Sequence, residues 1–214
     1  MDEEVTIINS NTRNEKIKNF FVGNKKYFIS GISILLVIML GYFSLEEMKE
    51  RNKIKLANQF NIITINFKTG NKQTTINQLT KLVKENDVTY SPLALYFLID
   101  NNLVDNKELI NSLFNELINK TKLDKEIKNL IIYKKALFNS DFVSENDLLQ
   151  ILNPIINSES IWKSHSLYLL AEYFYSKKQN QKAKEFFNKI LLLPNANNDI
   201  KIESQKRLSR DLGE

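Results

Sequence analysis

Residues 27–45, YFISGISILLVIMLGYFSL, run for 19 positions without a charged side chain, and no other stretch restricts the chain as severely. A helix rising 1.5 Å per residue over that length covers roughly the 30 Å of a bilayer's hydrocarbon. Of the three structures such a run can form, a buried core helix is disfavoured by length. A cleaved signal peptide is disfavoured because the run closes Gly41-Tyr42-Phe43-Ser44-Leu45-Glu46-Glu47, without a small-x-small site. The reading is a retained single-pass anchor, dividing a polar tail (1–26) from a polar domain (46–214).

The basic residues on the two flanks are close in number. Arg13, Lys16, Lys18, Lys25 and Lys26 precede the run, and Lys49, Arg51, Lys53 and Lys55 follow it. The Lys25-Lys26 pair at its edge and the shortness of the tail favour a cytoplasmic N-terminus and an exported, periplasmic C-terminal domain: a type II protein of the inner membrane. In the tail, Ile17, Phe20 and Phe21 fall at i, i+3 and i+4 among basic residues. This pattern suits either the headgroup level or a simple extension of the anchor.

Beyond Leu45 the chain matches itself. Leu56-Ala57-x-x-Phe60, Leu93-Ala94-x-x-Phe97 and Leu170-Ala171-x-x-Phe174 are separated by 37 and 77 residues, which places one further copy near residue 132. Leu130-Ile131-Ile132-Tyr133 stands there without the alanine or the phenylalanine, so that copy is degenerate. Asn106–Lys120 and Gln181–Leu193 each carry one apolar stripe of helical period, and Leu109, Ile110, Leu113 and Phe114 fall on Phe186, Phe187, Ile190 and Leu191 after a shift of 77. A pair of amphipathic helices cannot bury its own apolar face, so copies of this kind stack.

Gly (5) and Pro (3) are scarce, which removes strand punctuation and favours helix. Thr121-x-x-Asp124 and Ser144-x-x-Asp147 resemble capping boxes, while Pro154 and Pro194 end or kink helices. These signals give an all-α protein with four hairpins, about 46–86, 88–120, 122–157 and 159–194. A closing helix at 198–212 follows, with Ile202, Leu208 and Leu212 as its apolar content.

The fourth unit resembles a tetratricopeptide repeat. Leu170, Ala171 and Phe174 occupy the packing places of the first helix and Ala183 and Phe187 those of the second, while Lys178 and Asn180 replace the usual turn glycine and the aromatic after it. Over nearly its full length the chain resembles the YfgM-type ancillary subunits of the SecYEG translocon. The likeness rests on Lys16–Lys26 entering the anchor, Glu85–Ala94 opening the second unit, the segments Trp162–Ala171 and Lys178–Phe187, and the closing helix.

That resemblance implies a right-handed tetratricopeptide-like stack of about four hairpins beside the Sec channel, offering exported clients to periplasmic chaperones. On the first helix of the fourth unit, His165, Tyr168, Glu172 and Tyr175 share the face that lines the groove in such folds, and they are the candidate partner-binding residues; packing between units is the plainer role for the same face. Trp162 either anchors a partner or covers the preceding unit.

Chemistry is otherwise thinly represented. The chain has no cysteine and a single histidine, Ser164 and His165 point apart as neighbours on a helix, and Gly70-Asn71-Lys72-Gln73-Thr74 lacks the second glycine of a phosphate loop. One histidine beside Glu172 does not supply the convergent ligands of a metal site. The net charge of +5 is spread over interspersed signs rather than a basic stripe. No catalytic residue, cofactor, metal, nucleic acid or small-molecule substrate is expected. The two alternatives of a different kind are an envelope or division scaffold with the same fold, and a regulator acting through the cytoplasmic tail.

Overall fold

The computed structural model describes residues 2–68 and 70–213, and among them every regular element is helical. The chain divides into two compact units at Lys55/Leu56. In the first, α1 (Asp2–Gly23) is followed after Asn24 by the start of α2 (Lys25–Asn66). Asn24 carries the junction: its backbone N–H and its side-chain amide both donate to the Phe20 carbonyl, at 3.0 and 2.9 Å. Phe28 meets Phe21 at 4.8 Å and Phe20 at 6.0 Å between ring centroids, so the apolar pattern in the tail joins the first turn of the anchor. The uncharged run lies wholly exposed within α2, which is long and apolar enough to cross a membrane. No helix breaker follows Leu45, and the helix runs on to Asn66 instead of ending with the apolar residues.

The second unit begins within α2, at Leu56, and continues through α3 (Lys72–Val83), α4 (Tyr90–Asp100), α5 (Lys107–Lys120), α6 (Lys125–Asn139), α7 (Glu145–Ile156), α8 (Lys163–Ser176), α9 (Asn180–Leu191) and α10 (Asn198–Lys206), closed by one π-helical turn (Arg207–Asp211). Each helix from α3 onward packs against the next, and α6 also meets α8, as α8 meets α10.

Connections are tied by short polar devices. Gly70 N–H donates to the Asn66 carbonyl at 2.8 Å, and a Cβ there would stand 2.9 Å from that oxygen, so only glycine fits the turn. Asn71, Asn106, Ser144 and Asn197 cap α3, α5, α7 and α10 with side-chain oxygens that accept from backbone N–H groups. Ser144 also donates to Asp147 Oδ2 at 2.6 Å, which links the two residues of the expected box through their side chains. The expected box at Thr121 does not form. Thr121 ends α5 and donates to Asn86 Oδ1 at 3.1 Å, while Asp124 precedes α6 without a side-chain cap. Before α4, Asp87 Oδ1 accepts from Thr89 and Tyr90 N–H, and buried Ser91 donates to the Leu82 carbonyl at 2.8 Å, which gives Glu85–Ala94 its physical sense.

Three helices end on a non-glycine residue at positive φ: Asn86 (56°), Asn102 (47°) and Lys178 (60°). At the end of α8, Gln179 N–H bonds the Phe174 carbonyl and Lys178 N–H that of Tyr175, both at 2.9 Å, the paired closure that places its middle residue in the left-handed region. Asparagine tolerates that region and lysine does so poorly. Lys178→Gly is expected to raise stability by about 1 kcal/mol, read as a higher urea midpoint with an unchanged slope.

Two apolar clusters make the core. One contains Leu56, Leu79, Leu95, Leu98, Phe114 and Leu117 and ends at Ile131; the other begins at Ile132 and contains Ala136, Leu170, Phe174, Phe187 and Leu208. The repeat differs from its expected form in two places. Leu93 is 41% exposed although Ala94, Leu95 and Leu98 are sealed, because the buried face of α4 runs through Ser91, Ala94, Leu95 and Leu98 and Leu93 falls on the other side. In α6 the buried alanine is Ala136, not a residue near 132. At an offset of 35, Ile132, Ala136 and Asn139 match Leu167, Ala171 and Phe174, all of them buried. The closing element is α10 with its π turn. Leu208 and Leu212 are buried as expected, whereas Ile202 is exposed and the half-buried Ile200 packs in its stead.

Candidate functional site

The four residues expected to share a face on α8 divide into two groups. Glu172 is held by Arg207 in a two-pronged pair, Nε to Oε1 and Nη2 to Oε2, both at 2.8 Å. The same guanidinium donates to Asp211 Oδ2 at 2.7 Å and lies 5.2 Å from the centre of the Tyr175 ring. Tyr168 sets its edge against Phe187 at 5.6 Å. Glu172 and Tyr175 are thus covered by the C-terminal turn, and Tyr168 leans on the core.

Bidentate arginine–carboxylate geometry makes this a well-formed partly buried pair, with both side chains 27% exposed. The guanidinium groups of Arg210 and Arg207 hold the Asp211 carboxyl well below the usual carboxylate range. A depressed folded-state pKa contributes stability above the unfolded value of about 4, and that contribution fades as the pH falls through the folded value. Acidification below about pH 4 is therefore expected to undock residues 207–212 ahead of the rest, seen as faster amide exchange confined to that turn.

His165 belongs to a different neighbourhood. Its ring lies 5.2 Å from Trp162 and 6.0 Å from Tyr133, and those two rings stack at 5.9 Å with 20° between their planes. Trp162 therefore covers the preceding hairpin through Tyr133, the packing alternative of the two roles open to it. Burial lowers the His165 pKa, opposed by the Ile161 carbonyl one turn back, which nevertheless lies outside hydrogen-bond geometry, so Nδ1 is buried without a partner. Next to Tyr133, Lys134 Nζ sits 4.5 Å over the Tyr96 ring of α4. Burial, with Asp100 adding, pushes the Tyr96 hydroxyl up to about 12.

A row from Tyr96 through Lys134 and Tyr133 to His165 and Trp162 thus joins α4, α6 and α8. Leu137, one turn beyond Tyr133 on α6, and Ile161, beside Trp162, add exposed apolar surface. The sequence reading missed Tyr96, Tyr133 and Lys134, because contacts between one unit's first helix and the next carry no local signature. It missed Arg207 too, although the offset of 35 that takes Ala136 to Ala171 also takes Glu172 to Arg207.

Among the described residues no three histidine or acidic side chains converge to hold a metal ion. No family model matches the sequence, and no curated protein or solved structure matches it significantly.

Proposed function

We propose that this protein is a non-enzymatic, membrane-anchored protein-binding module built as a tetratricopeptide-like stack of helical hairpins. In this reading α2 holds the chain in the inner membrane with its N-terminus in the cytoplasm. The helical domain stands in the periplasm beside the Sec translocon and passes exported clients to chaperones. The observation that supports it best is the aromatic row across α4, α6 and α8 with exposed Leu137 and Ile161 at its margin. Aromatic rings flanked by accessible apolar groups suit weak contact with many polypeptides, and tethering at a membrane raises the effective concentration of such contacts.

The test is site-specific photocrosslinking in cells from Leu137 and Ile161, which are open to solvent, with Tyr175, covered by Arg207, as the control. Capture of translocon subunits, exported chains or periplasmic chaperones from the first two positions is the expected outcome. Recovery of cytosolic proteins alone would reverse the topology and end this reading.

A further inference from the structure

The apolar stripe of the tail lies against the start of the anchor. In the second half of α1, Ile17, Phe20 and Phe21 share one face of the helix and stand about half exposed. Lys16 and Lys18 flank that face, about 100° to either side of Ile17, while Glu15 and Asn19 lie opposite. Phe28, the second residue of the uncharged run, packs on both phenylalanines across the break at Asn24, and the three ring centroids lie 4.8 to 6.0 Å apart.

Placing the run from Tyr27 to Leu45 in hydrocarbon therefore fixes where this stripe sits. Rings held against Phe28 stand at the edge of the apolar layer, level with the headgroups, whatever course the rest of α1 takes. Exposed Tyr27 adds a ring of the kind that collects at that level. The chain can turn at the break: α1 ends at Gly23, α2 begins at Lys25, and the Asn24 side chain bonds the Phe20 carbonyl. From Arg13 to Lys26 there are five basic side chains and one acidic, Glu15. Asp2, Glu3 and Glu4 stand at the far end of α1, nine or more residues before Arg13. That is about 13 Å of helix, beyond the screening length of roughly 8 Å in physiological salt.

We propose that residues 13–26 are a docking element for anionic phospholipid headgroups. The second half of α1 lies along the membrane surface, with Ile17, Phe20 and Phe21 at the acyl boundary and Arg13, Lys16, Lys18, Lys25 and Lys26 among the phosphates. Lysines on both margins of an apolar stripe keep their charged ends in water while their stems lie on lipid. Each basic side chain near an anionic surface strengthens the attraction about fivefold, and a zwitterionic headgroup, with no net charge, offers little of it. The inference rests on α2 as the anchor and is independent of what the helical domain binds, so crosslinking from Leu137 and Ile161 can fail without touching it.

The chain has no cysteine, so Ile17→Cys and Asn19→Cys each carry a single thiol for a nitroxide spin label, one on the stripe and one opposite it. The labelled full chain is reconstituted into nanodiscs of phosphatidylcholine, alone or with about a third phosphatidylglycerol, and collisions with a neutral nickel complex are measured by electron paramagnetic resonance. The collision rate at 19 relative to that at 17 is expected to rise about fivefold or more when the anionic lipid is added. Lys16→Gln, Lys18→Gln, which leaves Lys25-Lys26 to hold the orientation, should remove most of that rise. An equal ratio in the two lipids, a rise that survives the double variant, or protection of position 17 found only with spin–spin broadening between copies would each overturn the proposal. A chain that does not enter the discs at all would overturn the anchor together with it.

Discussion

The double substitution Leu36→Arg, Ile38→Arg is expected to abolish stable membrane insertion. Each arginine near the centre of a spanning helix costs about 2.5–3.5 kcal/mol on insertion, whereas each Leu, Ile, Phe or Val contributes only about −0.3 to −0.6. The run from Tyr27 to Leu45 contains eleven Leu, Ile, Phe or Val residues. Their sum is thus of the same size as the penalty of two charges, and the balance is lost. The wild-type chain should stay with the membrane pellet through alkaline carbonate, and the double variant should move to the supernatant. Leu36→Ala, Ile38→Ala, of equal number and no charge, should remain in the pellet.

The second large effect is expected in the core. Phe174 is sealed at 1% exposure, stacks on Phe186 and meets the edge of Tyr173 at 5.7 Å, so Phe174→Ala removes a ring that nothing nearby can replace. Truncations of this kind cost about 3–5 kcal/mol, against the roughly 5–15 kcal/mol that holds an ordinary domain folded. Urea unfolding followed by far-UV circular dichroism should show the midpoint falling by about a fifth or more of its value. A change below about 1 kcal/mol would mean that the stacked pair is not part of the core. Asn139→Leu, in the matching place of α6, offers a contrast. The added apolar volume does not compensate, because Asn111 Oδ1 loses its donor while the Asn111 amide NH2 keeps only the Lys107 carbonyl, and a loss of about 1–3 kcal/mol is expected.

The features legible in the sequence were those whose signal accumulates along the chain. Nineteen uncharged residues announce an exposed apolar helix without reference to anything distant. Apolar stripes placed α5 and α9, and Ser144, Pro194 and Gly70 marked ends and turns through their own backbone chemistry. Harder to see were choices decided by a neighbour in space. Thr121 has the spacing of a helix start, but Asn86 claims its hydroxyl from 35 residues away. Ala136 is the small residue of its helix, yet polar flanks hid the match that burial reveals.

The candidate site was legible only in part, for the same reason. The helical face from His165 to Tyr175 follows from periodicity, but whether that face is open depends on Arg207, one closing turn further on. Likewise the partner of Trp162 is Tyr133, a ring from the previous hairpin.

Consecutive positions on α6 serve different neighbours: Ile131 closes one apolar cluster and Ile132 opens the other. Because helices from α3 onward meet mainly those adjacent in the chain, most buried contacts join segments synthesised close together in time. The stretch up to α6 can therefore consolidate while later residues are still being made, and growth of the folded part proceeds by accretion onto an existing wall. A released fragment ending at Asn139 should already resist protease across Leu56–Leu117, leaving the remainder to be added as a second cooperative block.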